Sequence, residues 1–67
     1  MAIRFYKLLD ILNRRGMNKG DLKELVGLSS TTVTKLSKGE TVTTETIDRI
    51  CDALDVQPGE IMEFVRD

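Results

Sequence analysis

The stretch KGDLKELVGLSSTTVTKLSKG, from Lys19 to Gly39, decides the fold. It holds two short apolar-periodic segments joined by Gly27-Leu28-Ser29. Leu22, Leu25 and Val26 recur at helical spacing in the first segment, and Val33 and Leu36 do so in the second. Gly27 and Gly39 each close one of these runs, where helices commonly end on a left-handed residue. Asn18 and Ser29 precede them, each with a side-chain oxygen able to accept from an orphaned helical N–H. The spacing predicts helices over Lys19–Val26 and Ser30–Lys38, joined as in a helix-turn-helix.

Working outward, the same punctuation repeats. Gly16 closes a first helix predicted over Tyr6–Arg15, with Tyr6, Leu8, Leu9, Ile11 and Leu12 as its apolar stripe. Thr43 caps a fourth over Thr44–Leu54, whose stripe is Ile47, Ile50, Cys51 and Leu54. An apolar residue before each cap pairs with one four places after it: Met17 with Leu22, Leu28 with Val33, and Val42 with Ile47. Val56 and Ile61 repeat the spacing around Gln57, with Pro58 at a first helical position, and predict a short fifth helix over Pro58–Met62. The expected fold is all-α: a five-helix bundle containing a helix-turn-helix. Ile3-Arg4-Phe5 and Glu63-Phe64-Val65 have strand-like composition. They fit either a terminal strand pair, closing the bundle or joining two subunits, or two aromatics that simply cap the core.

At 67 residues the chain is read as one domain, 1–67, and a chain this short buries only about 60% of its unfolded surface. Its longest apolar runs are too short to span a membrane, and without a basic segment leading into an apolar one at the start no signal peptide is expected. One cysteine and no histidine exclude an internal disulfide and a Cys/His zinc site, and make the reducing cytosol the expected compartment. The net charge of −1 conceals a strong polarity. Residues 1–39 carry eight bases and three acids, a net of +5, and residues 40–67 carry two bases and eight acids, a net of −6. One end attracts polyanions and the other repels them.

The segment from Ser30 to Lys38 contains no acid, two lysines and five hydroxylic residues. Serine and threonine are mediocre helix formers, so propensity does not explain the choice, and a merely solvated helix usually pairs Glu with Lys. A helix that lies against phosphates and base edges excludes carboxylates and displays short polar side chains with lysine. Ser30, Thr31, Thr34, Lys35 and Lys38 all project from the face opposite Val33 and Leu36.

At Lys19–Gly39 the sequence resembles the phage-repressor and Cro-like (Xre-like) helix-turn-helix transcriptional regulators. Val42–Ile47 and Ile50–Glu63 look like the fourth and fifth helices of compact bacterial members, so the resemblance covers nearly the whole chain. It implies that Ser30–Lys38 is the recognition helix, with Ser30, Thr31 and Lys35 at base-contacting positions. Asn18 and Lys19 match positions that grip the DNA backbone, as does Thr41 in the loop past the recognition helix. Ser29 would cap that helix and bond a phosphate. The family often has glutamine at position 19 and alanine at position 23, where this chain has lysine at both. Lys23 therefore implies either a more open contact between the two helices or a stem that packs while its ammonium reaches solvent. Gly20 costs roughly 1 kcal/mol relative to alanine, and the sequence supplies no reason for it.

The expected function is sequence-specific binding of double-stranded DNA as a transcriptional regulator of the repressor type. A homodimer would set two recognition helices about 34 Å apart on a palindromic site. A competing reading from another class is a protein-binding adaptor or antitoxin-like module working through the acidic C-terminal helices. No enzyme, metal or small-molecule cofactor is expected, since no nucleophile–base pair or cofactor loop can be assembled. Cys51 reads as a buried, inert thiol on a core stripe. Asp52, Asp55, Glu60 and Glu63 read as a solvated face, lacking the alternating oxygen-ligand loop of a calcium site. Arg14 and Arg15 suit the C-terminal dipole of the first helix, or lean towards a phosphate.

Overall fold

Side-chain caps begin three of the helices. Asn18 accepts from the amide of Asp21, Ser29 from that of Thr32 and Thr43 from that of Thr46. Asp21 returns the favour at Asn18, its carboxylate accepting from the Asn18 amide at 3.0 Å. The computed structural model describes residues 2–66. In chain order they form strand β1 (Ala2–Arg4), helices α1 (Tyr6–Arg14), α2 (Lys19–Val26), α3 (Ser30–Lys38) and α4 (Thr44–Leu54), a 3-10 turn (Pro58–Glu60) and strand β2 (Glu63–Val65). The helix-turn-helix, α2–α3, has the predicted bounds.

The expected fifth helix is not an α-helix. The Glu60 carboxylate accepts from the Gln57 amide at 2.7 Å and closes the segment within one turn. Ile61 is then fully buried, and two residues later the chain enters β2, which leaves no room for a second turn. The architecture is four α-helices with a small antiparallel sheet.

The core consists of Phe5, Leu8, Leu12, Leu22, Leu28, Val33, Leu36, Ile47, Ile50, Leu54 and Ile61, each at most 9% exposed. Burying such side chains stabilises by about 1.5–3 kcal/mol each, the main force holding α2 against α3 and α4. Two residues expected inside lie outside. Tyr6 is 56% exposed because Phe5, one residue earlier, takes the inward place above Leu8 and Leu12. Leu25 is 53% exposed because α2 turns Leu22 and Val26, four apart, towards the core.

The termini pair. Ala2, Ile3 and Arg4 stand opposite Val65, Phe64 and Glu63. Phe5 lies just past β1 in the core, so of the two aromatics only Phe5 caps it, while Phe64 faces solvent. Arginines fasten two helix ends across the fold. Arg15 donates to the Leu54 carbonyl at the end of α4 at 2.8 Å, and Arg4 donates to the Lys38 carbonyl at the end of α3 at 3.1 Å. Arg15 thus serves the carboxyl end of α4 rather than that of α1, and Arg14 is paired with Asp10 at 2.8 Å. Among the described residues, no helix is long and apolar enough to cross a membrane.

Candidate nucleic-acid interface

Burial of Val33 and Leu36 fixes the rotation of α3 and turns its polar side outwards. Ser30, Thr31, Thr34, Lys35 and Lys38 are all exposed, as are Asn18, Lys19, Ser29 and Thr41. The ion pairs among the described residues are Asp10–Arg14 and Glu45–Arg49, so neither lysine of α3 is neutralised by a carboxylate. An uncompensated cationic face of this kind attracts a polyanion.

The hydroxyls of α3 differ in what they have left to offer. Ser29 Oγ accepts from the Thr32 amide at 3.2 Å and lies 3.0 Å from Thr32 Oγ1, committed to the cap. Ser30 Oγ accepts from Lys23 Nζ at 2.7 Å, which leaves its own proton to donate outwards. Thr34 donates back to the Ser30 carbonyl at 3.0 Å, so towards a ligand it presents a methyl group and an acceptor lone pair. Thr31 and Lys35 have no side-chain hydrogen bond among the described residues and are wholly available.

The candidates fall into two groups. Lys35 and Thr41 line one groove of about 350 Å³ together with Thr32, Val42, Thr43 and Thr46, beside the exposed face of α3. Asn18 and Lys19 line another, at the junction of α1 and α2, with Asn13, Met17 and Gly20. There the Asn18 oxygen is taken by the Asp21 amide at 2.8 Å, while its NH₂ stays unbonded among the described residues, next to the free first-turn amides of α2. The Asp21 carboxylate shares this helix start, accepting from the Asn18 amide at 3.0 Å, so the charge that Lys19 adds beside it is what favours an anion there. Gly20 acquires a reason: a Cβ would come 3.1 Å from Asn18 Oδ1 and crowd the cap.

Two residues join the site that sequence reasoning did not place in it. Lys23 reaches the start of α3 with its ammonium, and its signal was the departure from alanine at that position. Arg4 holds the end of α3 against Gly39, whose φ of +73° closes the helix and whose missing Cβ leaves the space that Arg4 fills. Nothing in the sequence marks Arg4, because its reach depends on strand pairing with the far end of the chain.

Cys51 is half-buried rather than fully enclosed. Removal from water, and then Asp48 and Glu60, push its thiol above the ordinary range, which keeps it protonated and weakly nucleophilic. Among the described residues no three His, Cys, Asp or Glu side chains converge as a metal site would require.

A family model described as the Cro/C1-type HTH DNA-binding domain matches residues 7–67. The chain is 34% identical over 59 residues to the uncharacterized HTH-type transcriptional regulator YozG of Bacillus subtilis (strain 168), a match spanning 85% of this chain and 70% of that one. Its fold is similar to the crystal structure of the transcriptional regulator VanUg (Form II). The TM-score is 0.93 at 36% sequence identity, covering 98% of this chain and 88% of that one.

Proposed function

The chain belongs to the Cro/C1-type HTH DNA-binding domain family, and from that premise we propose that it regulates transcription, as a repressor, by laying α3 in the major groove of double-stranded DNA. The observation that carries this reading is the exposed, carboxylate-free face of α3, with the side chains of Thr31 and Lys35 unbonded among the described residues. Thr31, Lys35 and the outward proton of Ser30 read base edges; lysine is suited to the paired acceptors of guanine and a hydroxyl to either partner. Thr34 lays its methyl group against a thymine methyl.

Asn18 and Lys19 hold one phosphate at the start of α2, and Lys38 and Thr41 hold others along the flanks of α3, whose start Ser29 fixes as its cap. One α3 reads few bases, so the functional unit is a homodimer whose two copies of α3 lie about 34 Å apart on a palindromic site. Repression by occlusion asks only for tight, specific binding at a promoter. Selection of bound sites from random duplex DNA tests the reading. A palindrome with half-sites about 10 base pairs apart is expected, and enrichment of no sequence over background would refute specific recognition.

A further inference from the structure

Lys23 stands where the free protein gains least from a cation. It lies four residues after Lys19 on α2, a spacing at which like charges repel, and no carboxylate among the described residues pairs with it. Its ammonium is held at the first residue of α3, beside the end of that helix where the dipole favours negative charge. The contact is specific nonetheless: Nζ donates to Ser30 Oγ at 2.7 Å and bridges the two helices of the helix-turn-helix. Both residues are exposed, so the bond withdraws neither from a ligand. A side chain that local electrostatics disfavours, yet aimed at the recognition helix, is explained by what binds there.

Lysine has donors and no acceptor, so the direction of this bond is fixed. It fills one lone pair of the Ser30 oxygen, and the positive charge beside that oxygen disfavours an amino group at the other. What remains for DNA is the serine proton together with the two further protons of the ammonium. In the major groove guanine alone offers two acceptors, N7 and O6, with no donor beside them. Adenine sets an amino group next to N7, cytosine presents an amino group, and thymine has a single acceptor beside its methyl.

We propose that Lys23 sets the specificity of Ser30: through its bond to Oγ it makes the start of α3 a reader of guanine and excludes bases that present an amino group there. The inference deepens the DNA-binding reading and rests on it. Unlike the phosphate contacts proposed for Lys19 and Lys38, that of Lys23 carries sequence information, because it acts through a side chain at the end of the recognition helix that meets base edges.

Site selection from random duplexes with the wild type, Lys23→Met, Lys23→Arg and Ser30→Ala tests the proposal. Methionine keeps an unbranched, helix-favouring stem and removes the donor and the charge. Ser30→Ala identifies the base pair that Ser30 faces, as the one whose preference is lost. At that pair the wild type is expected to prefer guanine over adenine or cytosine about tenfold or more, and Lys23→Met about threefold or less. Lys23→Arg, which restores donor and charge, is expected to keep the preference, and preferences at the other pairs should persist in all variants. Equal losses of affinity on cognate and scrambled duplexes, with the guanine preference intact, would make Lys23 one more phosphate contact and overturn the proposal. So would a selection by Lys23→Met identical to that of the wild type. Without DNA, Ser30→Ala is expected to move the ε-methylene resonance of Lys23 and leave that of Lys38 in place; an unmoved Lys23 would show the bond is not formed and overturn the proposal at its root. An enriched site indifferent to Lys23 sinks only this inference, whereas enrichment of no site sinks the regulator reading and takes this one with it.

Discussion

Replacing Gly39 by alanine tests how the end of the recognition helix is held. At φ +73° an L-residue is strained by about 1–2 kcal/mol. The new Cβ would also collide with Arg4 Nη1 and lie 2.8 Å from Arg4 Cδ, so the arginine must leave. Its bond to the Lys38 carbonyl is solvent-exposed and contributes about 1 kcal/mol at most. Gly39→Ala should therefore cost about 2–3 kcal/mol in all, which for a domain of this size lowers Tm by roughly 10–20 °C. In an Arg4→Ala background the collision and the bond are already gone, and the same substitution should cost only the backbone strain. Urea unfolding of the wild type, the two single variants and the double variant measures the coupling, expected to be about 1 kcal/mol. Additivity within about 0.3 kcal/mol would refute the reasoning, because it would mean that Arg4 and Gly39 do not share the space.

Lys35→Ala should reduce affinity for the selected site about tenfold or more while leaving non-specific binding nearly intact. Lys38→Ala should weaken both alike and reduce the salt slope by about one; equal losses for both variants on cognate and scrambled duplexes would contradict these roles. Asn18→Ala should lower stability by about 1 kcal/mol through loss of the cap, whereas Asn18→Ser keeps an acceptor and should stay close to wild type in urea. Both should lose DNA affinity, and unchanged binding by Asn18→Ser would remove the amide NH₂ from the phosphate contact. At Cys51 the folded state disfavours the thiolate, so its contribution to stability is complete while the unfolded thiol is still protonated and is lost as pH climbs through the alkaline range. The stability of the wild type minus that of Cys51→Ala should fall between about pH 8 and 10, and a rise would contradict the direction of the shift.

The middle of the chain was legible because its signals are local. Capping at Asn18, Ser29 and Thr43, and the apolar pairs around them, act within five residues, and α2, α3 and α4 have the bounds they predict. Where three-dimensional competition decides, the same signals misled. Tyr6 and Leu25 have the right period but are displaced by Phe5 and by the Leu22–Val26 pair. The Val56–Ile61 spacing is present, yet pairing of β2 with β1 takes the chain away before a helix can grow. For the interface, the exposed face of α3 followed from Val33 and Leu36 alone. The engagement of Ser30 by Lys23, the hold of Arg4 on Lys38 and the crowding that explains Gly20 all depend on where separate elements meet.

Titrating the isotope-labelled chain with its selected duplex and following every amide tests the central claim most directly. The account predicts the largest shifts along Ser30–Lys38, with a second set at Asn18–Gly20 and Thr41, and little change on the exposed side of α4. Shifts concentrated at Asp48, Asp52 and Asp55, with Thr31 and Lys35 unmoved, would contradict it.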